Sequence, residues 1–278
     1  MLFNFKLRPV ENITPWGRDN QLALHWFGLT GGWYWMDVGE DELFRYTDDI
    51  LTLWEATANQ SFENVYVDYQ VVRFWEDLQD MLPYILEPIP NYILQRIQPG
   101  SKAIIWREKV GDFLLPENED VLDTAYDTFD AVTSWLGQRW LHVGYLRKGP
   151  RIWFWCDDQK VYIHWDNTEV QIDGTQVWTA TKGIFSLPIQ KFIEEIQAFD
   201  QQLIDTMQTR VNAVCQHWSR PEIQINLQSL INEQEDRAKW MERALERVNH
   251  MSPTPWDNVL SMVERIDPKF ITTNCDRV

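Results

Sequence analysis

The chain has 278 residues, 44% hydrophobic and 24% charged, enough to bury a core without disulfide or metal staples. Its formal charge of -17 repels phosphate backbones and anionic lipid. Neither nucleic acid nor a membrane surface is therefore an expected partner, and no local basic patch overrides that field.

Cys156, Cys215 and Cys275 are dispersed and odd in number, which argues against a disulfide framework. The opening MLFNFKLRPVENITPW has no apolar signal core, and no run approaches the roughly 18 apolar residues of a membrane span, so a cytoplasmic protein is expected.

In chain order, residues 1 to 21 read as an extended lead-in, with Pro9, Pro15 and Gly17 blocking helix. Leu22 to Thr47 reads as two or three short antiparallel strands, broken at Gly31-Gly32 and at Val38-Gly39-Glu40-Asp41. Strands are also predicted at Leu53 to Thr57, Val65 to Val67 and Ala103 to Trp106. Helical spacing predicts a helix from Tyr69 to Leu82, which Pro83 limits or kinks, and a short one within 82 to 100. A helix from Asn118 to Leu136 ends at Gly137.

Further strands are predicted at 140 to 146, 151 to 156, 160 to 165 and 176 to 181. A helix of about 30 residues opens near Ser186, with its apolar stripe from Ile189 to Val214. Ser219-Arg220-Pro221-Glu222 resembles a capping box ahead of an amphipathic helix of roughly 27 residues, expected to pack on its own chain, with a homodimer seam as the alternative. A last helix spans Trp256 to Ile266. The predicted class is α+β, in three stretches: residues 1–117 and 118–220 as similar strand-plus-helix units, and 221–278 as a helical region packed on them or merged into one domain.

The similarity of the two units rests on ordered matches. Trp33 to Asp37 is echoed by Trp153 to Asp157, Leu43 to Tyr46 by Tyr162 to Trp165, Trp54 to Thr57 by Trp178 to Thr181, and Arg73 to Gln79 by Lys191 to Gln197. Internal duplication is the expectation, and it requires the same strand order in both units.

Phosphate-cradling glycine loops, zinc motifs and nucleophile elbows do not occur in the chain. No catalytic residue, metal ligand or cofactor is expected. His25 and His164 flank Trp in predicted strands, where a metal site would need them to converge. Cys156 reads as a small apolar filler, and Asp37 and Asp157 as turn residues, with a carboxylate pair as the sharper reading. Alternation puts Trp33 and Trp35 on one strand face, for core bulk or for a contact platform.

The motifs Leu7-Arg8-Pro9-Val10-Glu11, Pro15-Trp16-Gly17, Trp26-Phe27-Gly28-Leu29-Thr30, Gly32-Trp33-Tyr34-Trp35, Glu42 to Tyr46 and Val67 to Arg73 together resemble an uncharacterised bacterial family, a domain of unknown function, over about residues 5 to 90. That resemblance implies no catalytic residues. In general character, acidic and aromatic-rich, the chain is also similar to immunity proteins of bacterial toxin systems.

The expected function is therefore a non-enzymatic binding protein that neutralises a basic toxin domain through an acidic, aromatic surface. Trp33, Trp35, Glu40, Asp41, Glu42, Asp48, Asp49, Asp157 and Asp158 are the candidate contact residues. An enzyme with an unrecognised active site, or a defence-associated adaptor or scaffold, is the alternative.

Overall fold

The computed structural model describes residues 1–18, 21–58, 62–114 and 122–266. The first sheet consists of β1 (Phe3–Leu7), β2 (Gly31–Val38), β3 (Asp41–Leu43) and β4 (Val67–Gln70). β2 is its spine: β1 pairs along one edge, while β3 and β4 share the other, all antiparallel. The second sheet has the order β5 (Ile152–Cys156), β6 (Lys160–Asp166), β9 (Lys182–Pro188), with a small hairpin of β7 (Gln171–Ile172) and β8 (Thr175–Gln176) inserted before β9.

The helices are α1 (Asp48–Ala58), α2 (Val71–Ile85), α3 (Asn91–Leu94), α4 (Ser101–Leu114), α5 (Leu122–Gly137), α6 (Ile189–Gln216), α7 (Leu227–Arg237), α8 (Trp240–His250) and α9 (Trp256–Ile266). The α+β class expected from the sequence is what the chain adopts.

Strand alternation builds two cores. Phe3, Tyr34, Met36, Leu43 and Val67 face inward from the first sheet and meet α2 and α6, with Tyr34 stacked on Phe74 at 4.8 Å and Phe3 5.7 Å from Phe199. Ile152, Phe154 and Cys156 point into the same core from β5. Trp153 and Trp155, on the opposite face of β5, enter a second core with Trp106 of α4, Trp135 of α5 and Val259 of α9. β5 of the second sheet is thus covered on both faces and the first sheet on one, while the same outer face at the β9 edge leaves Ile184 exposed. The second core joins α4, α5 and α9 across the chain divisions expected at 117 and 220.

Several expectations change for identifiable reasons. Leu53 to Thr57 lies in α1, not a strand, because Thr47 caps that helix: its hydroxyl accepts from the Ile50 N–H at 3.2 Å. Ala103 to Trp106 is helical, with Ala103, Trp106 and Val110 buried at helical spacing. Residues 3–7 of the expected lead-in form a strand, and residues 22–30 carry a 3₁₀ turn in place of one. In 140–146 only Trp140 pairs, bridging to Trp153; in 176–181 pairing is limited to the end of β8 and a Trp178 bridge to Tyr46.

The capping box at Ser219 is not used. Arg220 donates instead to the Ile13 carbonyl at 2.8 Å, and Asn226 caps α7. The long C-terminal helix is two helices, because at the break Arg237 turns into a cage of Trp26, Trp75 and Trp240 and pairs with Glu76 at 2.8 Å.

Pro83 does not end α2. A proline there leaves the Gln79 carbonyl without its helical donor, and Arg247 of α8 supplies one at 2.9 Å. Asp200 of α6 accepts from Trp75 Nε1 and Gln79 Nε2 at 2.9 and 3.1 Å, locking α6 to α2; burial pushes its carboxyl up to about 6.

The duplication fails at strand order. β4 adds to β2, the first strand of its hairpin, whereas β9 adds to β6, the second strand of its own. Trp54 to Thr57 is helical while Trp178 to Thr181 is extended. What the units share is a hairpin followed by a strand that runs directly into a helix, β4 into α2 and β9 into α6.

Candidate functional site

The uncovered face of the first sheet is where alternation has left polar residues among aromatic ones. The register sets Asn4 opposite Trp35, Lys6 and Asp68 on either side of Trp33, and Asp37 opposite Glu42. These side chains point away from the core, because their neighbours Phe3, Tyr34, Met36 and Leu43 point into it.

On one side of this face Trp35 stacks on Tyr66 at 4.4 Å, with the rings 12° from parallel. Glu42 ties the pair down: Tyr66 Oη donates to its Oε1 and Arg45 Nη1 to its Oε2, both at 2.5 Å. The Tyr66 bond, with Arg45, holds the Glu42 carboxyl below its usual range, so it is charged at neutral pH. Burial and Glu42 push the Tyr66 hydroxyl up to about 12, so it stays a donor.

Asp37 accepts from Asn4 Nδ2 at 2.9 Å. Glu40 and Asp41 stand exposed at the β2–β3 turn, and Asp48 and Asp49 are exposed in the first turn of α1, where carboxylates also favour the helix dipole. Asp48 is close enough to Arg45 to help raise its pKa, after the larger contribution of Glu42.

Trp33 is differently placed. The Arg8 guanidinium lies 4.5 Å from its ring and pairs with Asp68 and Glu63, leaving Trp33 only 6% exposed. It supports the face and offers little area of its own. Tyr66, Arg45, Asn4 and Asp68 belong to this surface and were not among the residues singled out from sequence. The alternation of Val65-Tyr66-Val67 was the available signal for Tyr66.

Asp157 and Asp158 lie on the other sheet. Asp157 accepts from the Gln159 and Lys160 N–H groups at 2.8 and 2.7 Å and from Tyr162 Oη at 2.7 Å, so it organises the β5–β6 turn; Asp158 is exposed. Asp37 is spent on Asn4, and the two aspartates have separate partners.

His25 packs on Trp16 at 4.1 Å, whereas His164 Nδ1 lies 3.0 Å from the Pro99 carbonyl. Among the described residues no group of three or more His, Cys, Asp or Glu is placed to hold a metal. Cys156 is fully buried and its thiol is pushed up to about 12 by burial, so it is no thiolate at neutral pH. Ser101 Oγ donates straight to Asp166 at 2.9 Å, without the nearby His164 between them, so the three do not form a proton-relay triad.

The face therefore carries a fixed, half-exposed aromatic pair with charged carboxylates in the neighbouring segments. The fold is that of an α+β protein whose first sheet has one open face. Residues 2–262 match the family of unknown function DUF5984, and the chain belongs to that family. No curated protein and no solved structure matches it. No helix among the described residues is long and apolar enough to cross a membrane.

Proposed function

We propose that this chain is a non-enzymatic binding protein, an immunity protein that neutralises a cognate bacterial toxin by presenting the open face of its first sheet to a basic toxin domain. The observation that carries the reading is the Trp35–Tyr66 stack held by Glu42, with Asp37, Glu40, Asp41, Asp48 and Asp49 in the segments around it.

Stacked aromatic rings on a sheet lose little entropy on binding and supply contact area. The exposed carboxylates around them would steer a cationic partner and raise its association rate at low salt. Asp157 and Asp158, on the second sheet, are outside this surface.

Co-expression with the toxic product of a neighbouring gene tests the reading. Protection is expected, and it should be lost in a Glu40→Lys/Asp41→Lys/Trp35→Ala variant that still unfolds cooperatively within a few degrees of the parent. A neighbouring product that stays equally lethal beside the parent protein, or protection undiminished in the folded variant, counts against it.

A further inference from the structure

The strongest local departure from the acidic surface is a loop on the second half. From Ala131 to Cys156 the chain has no Asp or Glu, but it carries Arg139, His142, Arg147, Lys148 and Arg151. Arg139 is turned inward to Glu87 at 2.7 Å. The other three cations are exposed, and none has an ion-pair partner among the described residues. Several other arginines are neutralised, as in Arg45 with Glu42, Arg96 with Glu264 and Arg243 with Asp236, whereas Arg107 and Arg265 lie over aromatic rings. The sequence reading that no local basic patch exists is corrected here: the net charge hid a short segment that folding sets apart.

This loop is built rather than loose. Trp178 Nε1 donates to the Lys148 carbonyl at 2.9 Å, and Tyr145 Oη to Asp77 at 3.1 Å. The Arg151 N–H donates to Asn167 Oδ1 at 2.7 Å, and Asn167 is itself fully buried and donates to the Ala180 carbonyl. Gly149 presses on Val143 so closely that a Cβ there would lie 2.6 Å from Val143 Cγ2. These anchors hold Lys148 at φ 57°, a left-handed conformation that side chains other than glycine rarely adopt. Under the loop is an open hollow of about 410 Å³, lined by Trp140, His142, Lys148, Gly149 and Arg151 among others.

We propose that this hollow binds an oligophosphate group, either free or carried by a nucleoside. Lys148 and Arg151 line the hollow without ion-pair partners among the described residues, with Arg147 exposed beside them in the chain; that charge matches a compact, multiply charged anion, and a guanidinium can fork two phosphate oxygens. The volume suits a ligand of nucleotide size. A long nucleic acid would have to run from this loop over the surrounding acidic surface, so the small anion is favoured. The assignment is independent of the toxin-binding face and uses none of its residues.

Isothermal titration of the purified full chain at low salt, with inorganic triphosphate, ATP, a single-stranded oligonucleotide and poly-glutamate in turn, tests it. Saturable one-to-one binding of triphosphate or ATP is expected, weakened at least tenfold in a Lys148→Gln/Arg151→Gln variant with the parent melting temperature. Equal affinity for the two would assign recognition to the phosphates alone, and tighter ATP binding would add the nucleoside. The proposal is overturned if neither binds at millimolar concentration, if the folded variant binds as well as the parent, or if the oligonucleotide or poly-glutamate binds more tightly than both.

Discussion

Trp33-Tyr34-Trp35 and Trp153-Phe154-Trp155 are nearly the same tripeptide on the first strand of two hairpins, yet they end in opposite surroundings. In both, the central ring enters the shared core, Tyr34 against Phe74 and Phe154 against Phe192. In both, the outer Trp stacks on a Tyr whose hydroxyl is held by a carboxylate: Trp35 on Tyr66 with Glu42, and Trp155 on Tyr162 with Asp157. The difference is what comes next. Helices α4, α5 and α9 cover Trp153 and Trp155, and nothing comparable covers Trp35. The same local pattern is therefore core bulk in one sheet and open surface in the other.

The largest test of that contrast is truncation of matching rings. Trp153→Ala should cost about 3–5 kcal/mol in denaturant unfolding, and Trp35→Ala only about 1 kcal/mol, the worth of an aromatic pair. Equal losses would mean that the first sheet is covered too.

Ionisation draws the same line. Asp77 lies on the covered side under Tyr145, and burial pushes its carboxyl up to about 7, against the opposing pull of Arg73. The folded chain keeps this proton while the unfolded chain has lost it above about pH 4. The contribution of Asp77 is thus full below that pH and is lost as pH rises through about 7. Asp77→Asn should raise the melting temperature at pH 8, by roughly 1 kcal/mol in stability after allowing for screening, and change little at pH 3.

On the open face the sign reverses. Glu42 has a lowered pKa, so its stabilisation is present above the ordinary carboxylate range and is lost as pH falls through the lowered value. Glu42→Gln should cost about 0.5 kcal/mol at pH 7 and nothing near pH 2, as followed by thermal melts across pH. Smallest of all, Glu40→Lys/Asp41→Lys should leave unfolding within about 0.5 kcal/mol of the parent, because both side chains are exposed at a turn. A larger loss would mean that these carboxylates hold the fold rather than face a partner.

Where apolar spacing was long and uninterrupted, sequence and structure agree: α6 runs Ile189–Gln216 and α9 Trp256–Ile266, close to the expected spans. Errors cluster where a distant residue overrides a local signal. Pro83 reads as a helix stop until Arg247, far along the chain, is seen to serve the orphaned Gln79 carbonyl. The break before Trp240 follows from a cage whose walls come from Trp26, Trp75 and Trp240. Among the candidate contact residues, Glu42, Asp48 and Trp35 converge near Arg45 and Tyr66, whereas Asp157 is taken up by its own β5–β6 turn and Tyr162.

Composition and periodicity by themselves determined the α+β class, the acidic field, the β2–β3 and β5–β6 hairpins and the long apolar helix stripes, since these depend on neighbours a few residues away. Only the tertiary structure decided which strand each hairpin recruits and which tryptophans are covered. Those outcomes depend on long-range hydrogen bonds and on the packing of α4, α5 and α9, and no window of local sequence contains both partners of such a contact.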